Sequence, residues 1–194
     1  MEKQQPVLIG ICGLKGSGKS EVASRLVASM SAHRVRFAGP LKDMLRALGL
    51  TEREIEGDLK EEPSDLLCGR TPRHAMVTLG TEWGRLMIGP ELWADAWRGR
   101  IDVALAHGTN VVTEDLRFPN EHEALTRAGG IVLRVTRPGV EADLSHESER
   151  YALSMSADIE FFNSGRLEDI DTWVENVFPD LLRIAVAQRS GGAA

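Results

Sequence analysis

Gly13-Leu14-Lys15-Gly16-Ser17-Gly18-Lys19-Ser20 narrows the folds open to this chain more than any other stretch of its sequence. The octapeptide satisfies G-x-x-x-x-G-K-[ST] at every fixed position. Before it, residues 7–12 form an apolar run that reads as a buried strand. After it, over 19–31, Val22, Ala23, Leu26 and Met30 recur on one helical face. A glycine-rich turn between strand and helix aims successive backbone N–H groups at one anion, and the helix adds the positive end of its dipole. Gly13, Lys15, Gly16, Ser17 and Gly18 are therefore expected to line nucleotide phosphates. Lys19 should reach the β- and γ-phosphates, and the Ser20 hydroxyl should coordinate Mg²⁺. The expected ligand is a purine nucleoside triphosphate.

The remaining sequence supplies the sheet that such a loop needs. Further strands are expected over 34–37, 110–113, 131–135 and 158–162, alternating with helical patterns in the manner of βαβ units and a mostly parallel sheet. Thr71 caps a predicted helix over 71–87, with Pro72 at its first position and Met76, Leu79, Trp83 and Leu86 on one stripe. Another over 91–107 carries Trp93, Trp97, Ile101 and Leu105, all read as core, with Gly108 as a C-terminal cap. Two insertions, 49–70 and 138–156, interrupt the alternation without looking like interdomain linkers, and the Ser, Gly and Ala-rich tail over 188–194 is expected to fray. At 194 residues the chain has the length of one domain. The expected class is α/β: a P-loop NTPase fold over 1–194 with a five-stranded parallel sheet, helices on both faces and a lid insertion.

Composition removes several function classes. With 42% hydrophobic and 27% charged residues the chain is neither disordered nor a membrane protein in character. A formal charge of −6 argues against a general binder of polymeric nucleic acid, since such binding is largely phosphate neutralisation by Lys and Arg. The 7–12 run is too short to span a bilayer and has no cleavage pattern behind it. Cys12 and Cys68 share no ligand spacing, so a reducing cytoplasm fits best. The guanine-reading Asn-Lys-x-Asp segment of signalling GTPases is absent, and motor, helicase and transporter ATPases need more chain. A small kinase remains.

A kinase needs a second site, and basic residues at the expected binding edge of the sheet are its candidates. After the strand over 110–113 comes Glu114-Asp115-Leu116-Arg117-Phe118-Pro119-Asn120-Glu121. Asp115 is placed to hold Mg²⁺ through water and Arg117 to clamp a phosphate oxygen. Asn120 reads as a helix cap, and Glu121 either complements that helix dipole or joins the substrate-binding group. Lys42 follows the second strand. Arg73 sits in the first turn of a helix, where a cation is unfavourable unless an anion accompanies it, a penalty that points to a bound phosphate. Arg134 and Arg137 bracket the exit of the fourth strand, beside the 138–156 insertion where a moving cover would attach. Arg134 is grouped with the nucleotide-binding residues and Arg137 with the catalytic ones. His146 and Glu149 are weak evidence for a metal, because no third ligand converges on them and the helix dipole explains the acids.

Together, Gly13 to Ser20, Ala38-Gly39-Pro40-Leu41-Lys42, Thr71-Pro72-Arg73 leading to Leu79-Gly80-Thr81, Asp115-Leu116-Arg117, Arg137-Pro138-Gly139 and His146-Glu147-Ser148-Glu149 resemble the deoxynucleoside monophosphate kinases of bacteriophages. The order of segments matches over about 7–165. The resemblance implies ATP on the phosphate loop, a deoxynucleotide in the facing crevice, and site roles for Lys42, Arg73, Asp115 and Arg117. It implies a host-cell cytoplasmic enzyme acting on small molecules. The stretch over 50–70 is shorter than in larger members, so the resemblance does not carry over any base-selective contacts they place there. Kinases of phosphomevalonate or dephospho-coenzyme A, and a non-catalytic nucleotide switch, carry a similar loop and stay open, as do base preference and a homodimer.

Overall fold

The computed structural model describes residues 5–145 and 147–191. Their strands are β1 (Leu8–Cys12), β2 (His33–Arg34), β3 (Val111–Thr113), β4 (Ile131–Thr136) and β5 (Ile159–Phe162), paired in the order β2-β3-β1-β4-β5. Every pairing is parallel. This is the α/β sheet that the strand pattern predicts. The chain divides into two compact units, one of residues 1–36 with 100–194 and the other of 37–99.

The first unit holds the sheet. Successive strand residues face opposite sides, so Ile9 and Ile11 meet Val22, Ala23 and Leu26 of α1 (Lys19–Ser29). The same apolar layer takes in Ile170 and Val174 of α8 (Leu167–Asn176) and Phe178 and Ala185 of α9 (Phe178–Gly191). Gly10 faces the other way, against Leu125 of α6 (Pro119–Arg127); a Cβ at Gly10 would sit 2.5 Å from the Leu125 side chain. Glycine there lets a helix lie directly on the strand. All five residues of β1 are buried, and each large one contributes roughly 1.5–3 kcal/mol by leaving water.

Two expectations change in this unit. β2 ends at Arg34, although Val35 still donates to the Val112 carbonyl at 3.0 Å. The expected strand to residue 37 stops short, and the Arg36 side chain pairs with the buried Glu114 carboxylate. The tail is helical to Gly191 where fraying was expected from 188, and Arg189 is tied to Asp158 by two hydrogen bonds, the shorter 2.6 Å. Residues 192–194 lie outside the described ones. The insertion over 138–156 contains α7 (Glu147–Ser154).

The second unit packs around Leu41 and Leu45 of α2 (Gly39–Ala47), Ile55 of α3 (Glu52–Ile55), Met76 of α4 (Pro72–Val77) and Trp93 of α5 (Leu92–Ala106). Phe37 stacks on Trp97 with ring centroids 4.3 Å apart. The acidic 49–70 stretch is no plain loop. Thr51 caps α3 and Glu54 returns the bond to the Thr51 N–H at 2.8 Å, a reciprocal capping box. The helix expected over 71–87 is α only to Val77 and then a π-helix, Thr78–Ile88. Trp93 accounts for the change: its Nε1–H takes the Gly80 carbonyl at 2.8 Å, and its ring lies where a side chain at Gly84 would stand. The wider winding rotates Leu86 off the expected core stripe and leaves it 75% exposed. Among the described residues no helix is long and apolar enough to cross a membrane.

Candidate active site

The loop after β1 leaves the sheet at Gly13, whose φ of 142° belongs to glycine. A Cβ there would lie 2.3 Å from the Val135 carbonyl oxygen, so the loop passes as close to β4 as backbone can. Ser17 N–H closes a turn onto the Leu14 carbonyl at 3.2 Å, and the Gly18 carbonyl accepts from Glu21 and Val22 to start α1. The loop is thus delivered to a helix N-terminus, as the motif requires.

Lys19 folds back over this loop. Its Nζ donates to the carbonyls of Gly13 at 2.8 Å and Leu14 at 2.7 Å. Burial, followed by the nearby Arg117 charge, lowers its pKa from 10.5 to about 8. A desolvated cation with a second positive charge nearby calls for an anion, and Glu149 and Glu114 pull the other way only as smaller effects. The Ser17 hydroxyl is buried at 1% exposure with no hydrogen-bond partner. A carboxylate already uses one donor of the loop: Lys15 N–H donates to Glu149 Oε1 at 3.2 Å, while Glu149 Oε2 takes Asp143 N–H at 2.7 Å. Desolvated lysine, orphaned hydroxyl and a carboxylate on the backbone all fit a polyphosphate.

β3 lies next to β1, so the residues after it share the same edge of the sheet. Glu114, 6% exposed, pairs with Arg36 (Nε to Oε1, 2.5 Å) and with Arg34 at 3.7 Å, and its Oε2 has no hydrogen-bond partner. Asp115 is half-buried and Arg117 exposed. Glu121 stands in the first turn of α6, where the helix dipole favours it as expected, while the Asn120 cap is corrected. The buried Glu121 carboxylate accepts the N–H of Arg117 at 2.8 Å and of Phe118 at 3.1 Å. It therefore fixes the turn that carries Arg117, and the residue at the helix cap is Phe118 in place of Asn120. Proline at 119 sets the first helical position, which moves the cap one residue upstream of it.

Arg134 lies within β4, opposite Cys12, and Arg137 just past its end, so the two bracket the strand exit as expected. Arg134 donates to the Met155 carbonyl and pairs with Glu160 at 3.4 Å, while its Nε is buried and unpaired. Burial pushes the Cys12 thiol up, against the opposing pull of Arg134, so this thiol is no thiolate nucleophile. Arg137 follows β4 and is exposed, its guanidinium lying over Gly165. Ser20, the second residue of α1, is exposed. His146 lies outside the described residues. Glu149, from the insertion, points to the phosphate loop.

In the second unit, Lys42 Nζ pairs with Glu56 at 2.8 Å, and Arg73 Nε with Glu61 at 2.9 Å. The anion that relieves a cation at the start of α4 is thus one of the chain's own carboxylates. Sequence reasoning missed Glu114, Glu149 as a loop contact, and Asn163, a residue 2% exposed just beyond β5. The signal for Asn163 was available, because Asn163-Ser164-Gly165 follows a strand at the same sheet edge.

No protein-family model matches the chain. A protein of Acanthamoeba polyphaga mimivirus named "Putative deoxynucleotide monophosphate kinase" is 33% identical over 177 residues, which cover 84% of this chain and 91% of that protein. Among solved structures, the shikimate kinase of Aquifex aeolicus is 15% identical with a TM-score of 0.48, covering 93% of this chain and 99% of its own. The dephospho-CoA kinase of Campylobacter jejuni is 11% identical at 0.48, covering 91% and 98%.

Proposed function

The chain belongs to the family of deoxynucleotide monophosphate kinases that includes the mimivirus protein, and on that premise we propose that it moves the γ-phosphoryl group of ATP to a deoxynucleoside 5′-monophosphate. Membership makes the chain a phosphotransferase; the identity of the acceptor is the proposed step. The observation that carries the site assignment is Lys19, desolvated on the phosphate loop with the Arg117 charge beside it.

An acceptor phosphate is already ionised near neutral pH, so the reaction needs no strong general base. What it needs is alignment of two polyanions and neutralisation of the charge between them. Lys19 and Arg117 supply that neutralisation, joined by Arg137 when the 138–156 cover closes. Gly13, Lys15, Gly16 and Gly18 hold the ATP phosphates by backbone N–H, and Ser17 by its side-chain hydroxyl. Lys42 and Arg73 take the phosphate of the acceptor, releasing Glu56 and Glu61. Glu121 acts through the turn of Arg117, and Arg134 anchors the far end of the cover through the Met155 carbonyl. Ser20 and Asp115 offer the hydroxyl and carboxylate oxygens that Mg²⁺ prefers, and the free Glu114 oxygen adds an acceptor beside them. When bound, Mg²⁺ offsets charge on the β- and γ-phosphates. Both units work as one kinase domain in this reading.

ADP release with Mg²⁺ and ATP, measured across the four common deoxynucleoside monophosphates, their ribose counterparts, phosphomevalonate and dephospho-coenzyme A, tests the acceptor. The expected result is fastest turnover with a deoxynucleoside monophosphate. Preference for either of the last two compounds, or slow ATP turnover that no acceptor accelerates, overturns it.

A further inference from the structure

We propose that Asn163 is the positioning residue of the phosphate loop, holding the Ser17–Gly18 peptide so that its N–H faces the nucleotide phosphates. The inference rests on the loop binding phosphate and is independent of which acceptor is used.

Asn163 is buried, and its Nδ2 donates to the Ser17 carbonyl at 2.8 Å across 146 residues of sequence. A trans peptide is planar, with C=O and N–H pointing in opposite directions. Fixing the Ser17 carbonyl on Asn163 therefore turns the Gly18 N–H away from Asn163, toward the open side of the loop. Ser17 has its own N–H engaged with the Leu14 carbonyl, so the orientation of the next peptide decides which donor the loop presents. The contact also explains a motif glycine. Gly18 has φ 95°, and a Cβ there would stand 2.3 Å from Asn163 Nδ2, so glycine at 18 is what admits the carboxamide.

Asn163 is itself held at both ends. Its N–H continues the β4–β5 ladder onto the Thr136 carbonyl at 2.7 Å, and its Oδ1 accepts the Gly165 N–H at 3.0 Å. Those bonds fix the carboxamide's flip, since the oxygen is committed to a donor and the nitrogen to an acceptor. The side chain thus transmits the position of β5 to the loop. Arg137 packs over the same Gly165, within 3.1 Å of where a Cβ would be, so the loop and the start of the cover share one support.

Binding of inorganic tripolyphosphate, with no acceptor present, tests the role in the full chain. Asn163→Ala is expected to weaken binding at least tenfold at a temperature where both proteins are fully folded. Asn163→Asp, which keeps the acceptor for Gly165 but sets an oxygen against the Ser17 carbonyl, should weaken it further. A folded Asn163→Ala protein that binds tripolyphosphate as tightly as wild type overturns the inference, because a purely structural side chain would alter only thermal stability. If neither variant folds, the Asn163 carboxamide protons of the wild-type protein decide by NMR. Anion binding polarises the Ser17–Gly18 peptide and should strengthen the bond on its other side, shifting the Nδ2 proton downfield. An unmoved resonance refutes the role.

Discussion

Glu149 accepts the backbone N–H of Lys15 through Oε1 at 3.2 Å, so a carboxylate from the 138–156 segment occupies a donor that the phosphate loop offers to anions. Nucleotide phosphates must displace it. A charged acceptor holds an N–H by about 1 kcal/mol more than a neutral one. Glu149→Gln should therefore bind ATP roughly fivefold more tightly at low salt, a factor that follows from this difference. Calorimetry reads it directly, and an unchanged or weaker affinity would show that the carboxylate does not compete. Hydrogen exchange over 138–145 and 147–156 should also slow when a bisubstrate analogue binds, since displaced Glu149 frees the segment to close over the phosphates.

Lys19 gives a pH dependence with opposite signs for stability and binding. Its pKa is about 8 in the fold against 10.5 ordinarily, so between these values the unfolded chain binds the extra proton. By linkage this group adds stability as pH rises from about 8 to 10.5. ATP affinity should fall over the same rise, because the free protein loses the cation that phosphate needs and binding must take up a proton. Thermal melts and ATP titrations from pH 7 to 10, wild type against Lys19→Met, check both slopes; the variant should show neither contribution. Its turnover should drop by several orders of magnitude in a folded protein, since it lacks charge stabilisation at the transferred group.

The phosphate loop was legible because its spacing is fixed by one local requirement, a chain that curls around an anion. The parallel sheet was implied by the same βαβ logic, and the buried runs of β1, β3 and β4 need no distant partner to be recognised. The rest depends on pairs far apart in sequence. Nothing near Asn163 names Ser17 as its partner, and nothing near Glu114 names Arg36 as the cation that holds it. Arg73 shows how local logic can point in the right physical direction and stop short: the penalty at the helix start was read correctly and ascribed to a bound phosphate, and in the structure Glu61 is what answers it. The π-helix escaped for a similar reason, because Trp93, which lies beyond it in sequence, takes the Gly80 carbonyl.

Arg73 and Arg117 should separate the two substrates kinetically. Both partners of the Arg73–Glu61 pair are largely exposed, so Arg73→Ala should alter stability by less than about 1 kcal/mol. Loss of a charge-assisted phosphate contact should lower kcat/KM for the monophosphate by at least about 1.5–3 kcal/mol, or tenfold and more. ATP affinity of Arg73→Ala should stay near wild type. Arg117→Ala should lower kcat as well, because this charge acts beside Lys19. Steady-state kinetics with each substrate varied in turn measures both, and equal loss of ATP binding in the two variants would move Arg73 to the nucleotide side.

Glu121 tests whether the Arg117 turn is built or incidental. The carboxylate is 3% exposed and a single oxygen, Oε2, accepts both the Arg117 and Phe118 N–H groups. Glu121→Ala leaves two backbone donors without that acceptor, which should destabilise the fold by roughly 1–3 kcal/mol. Glu121→Gln keeps a carbonyl oxygen of nearly the same reach, so it should recover most of the stability. A substrate ligand would behave differently, with Gln damaging monophosphate KM while the melting temperature holds. The expected pattern is a clear fall in melting temperature for Ala, a small one for Gln, and a loss of kcat in both that follows the loss of Arg117 order. That last part is read by comparison with the double variant Glu121→Ala, Arg117→Ala: if Glu121 acts through Arg117, adding its loss to Arg117→Ala should lower kcat little further, whereas independent effects would multiply.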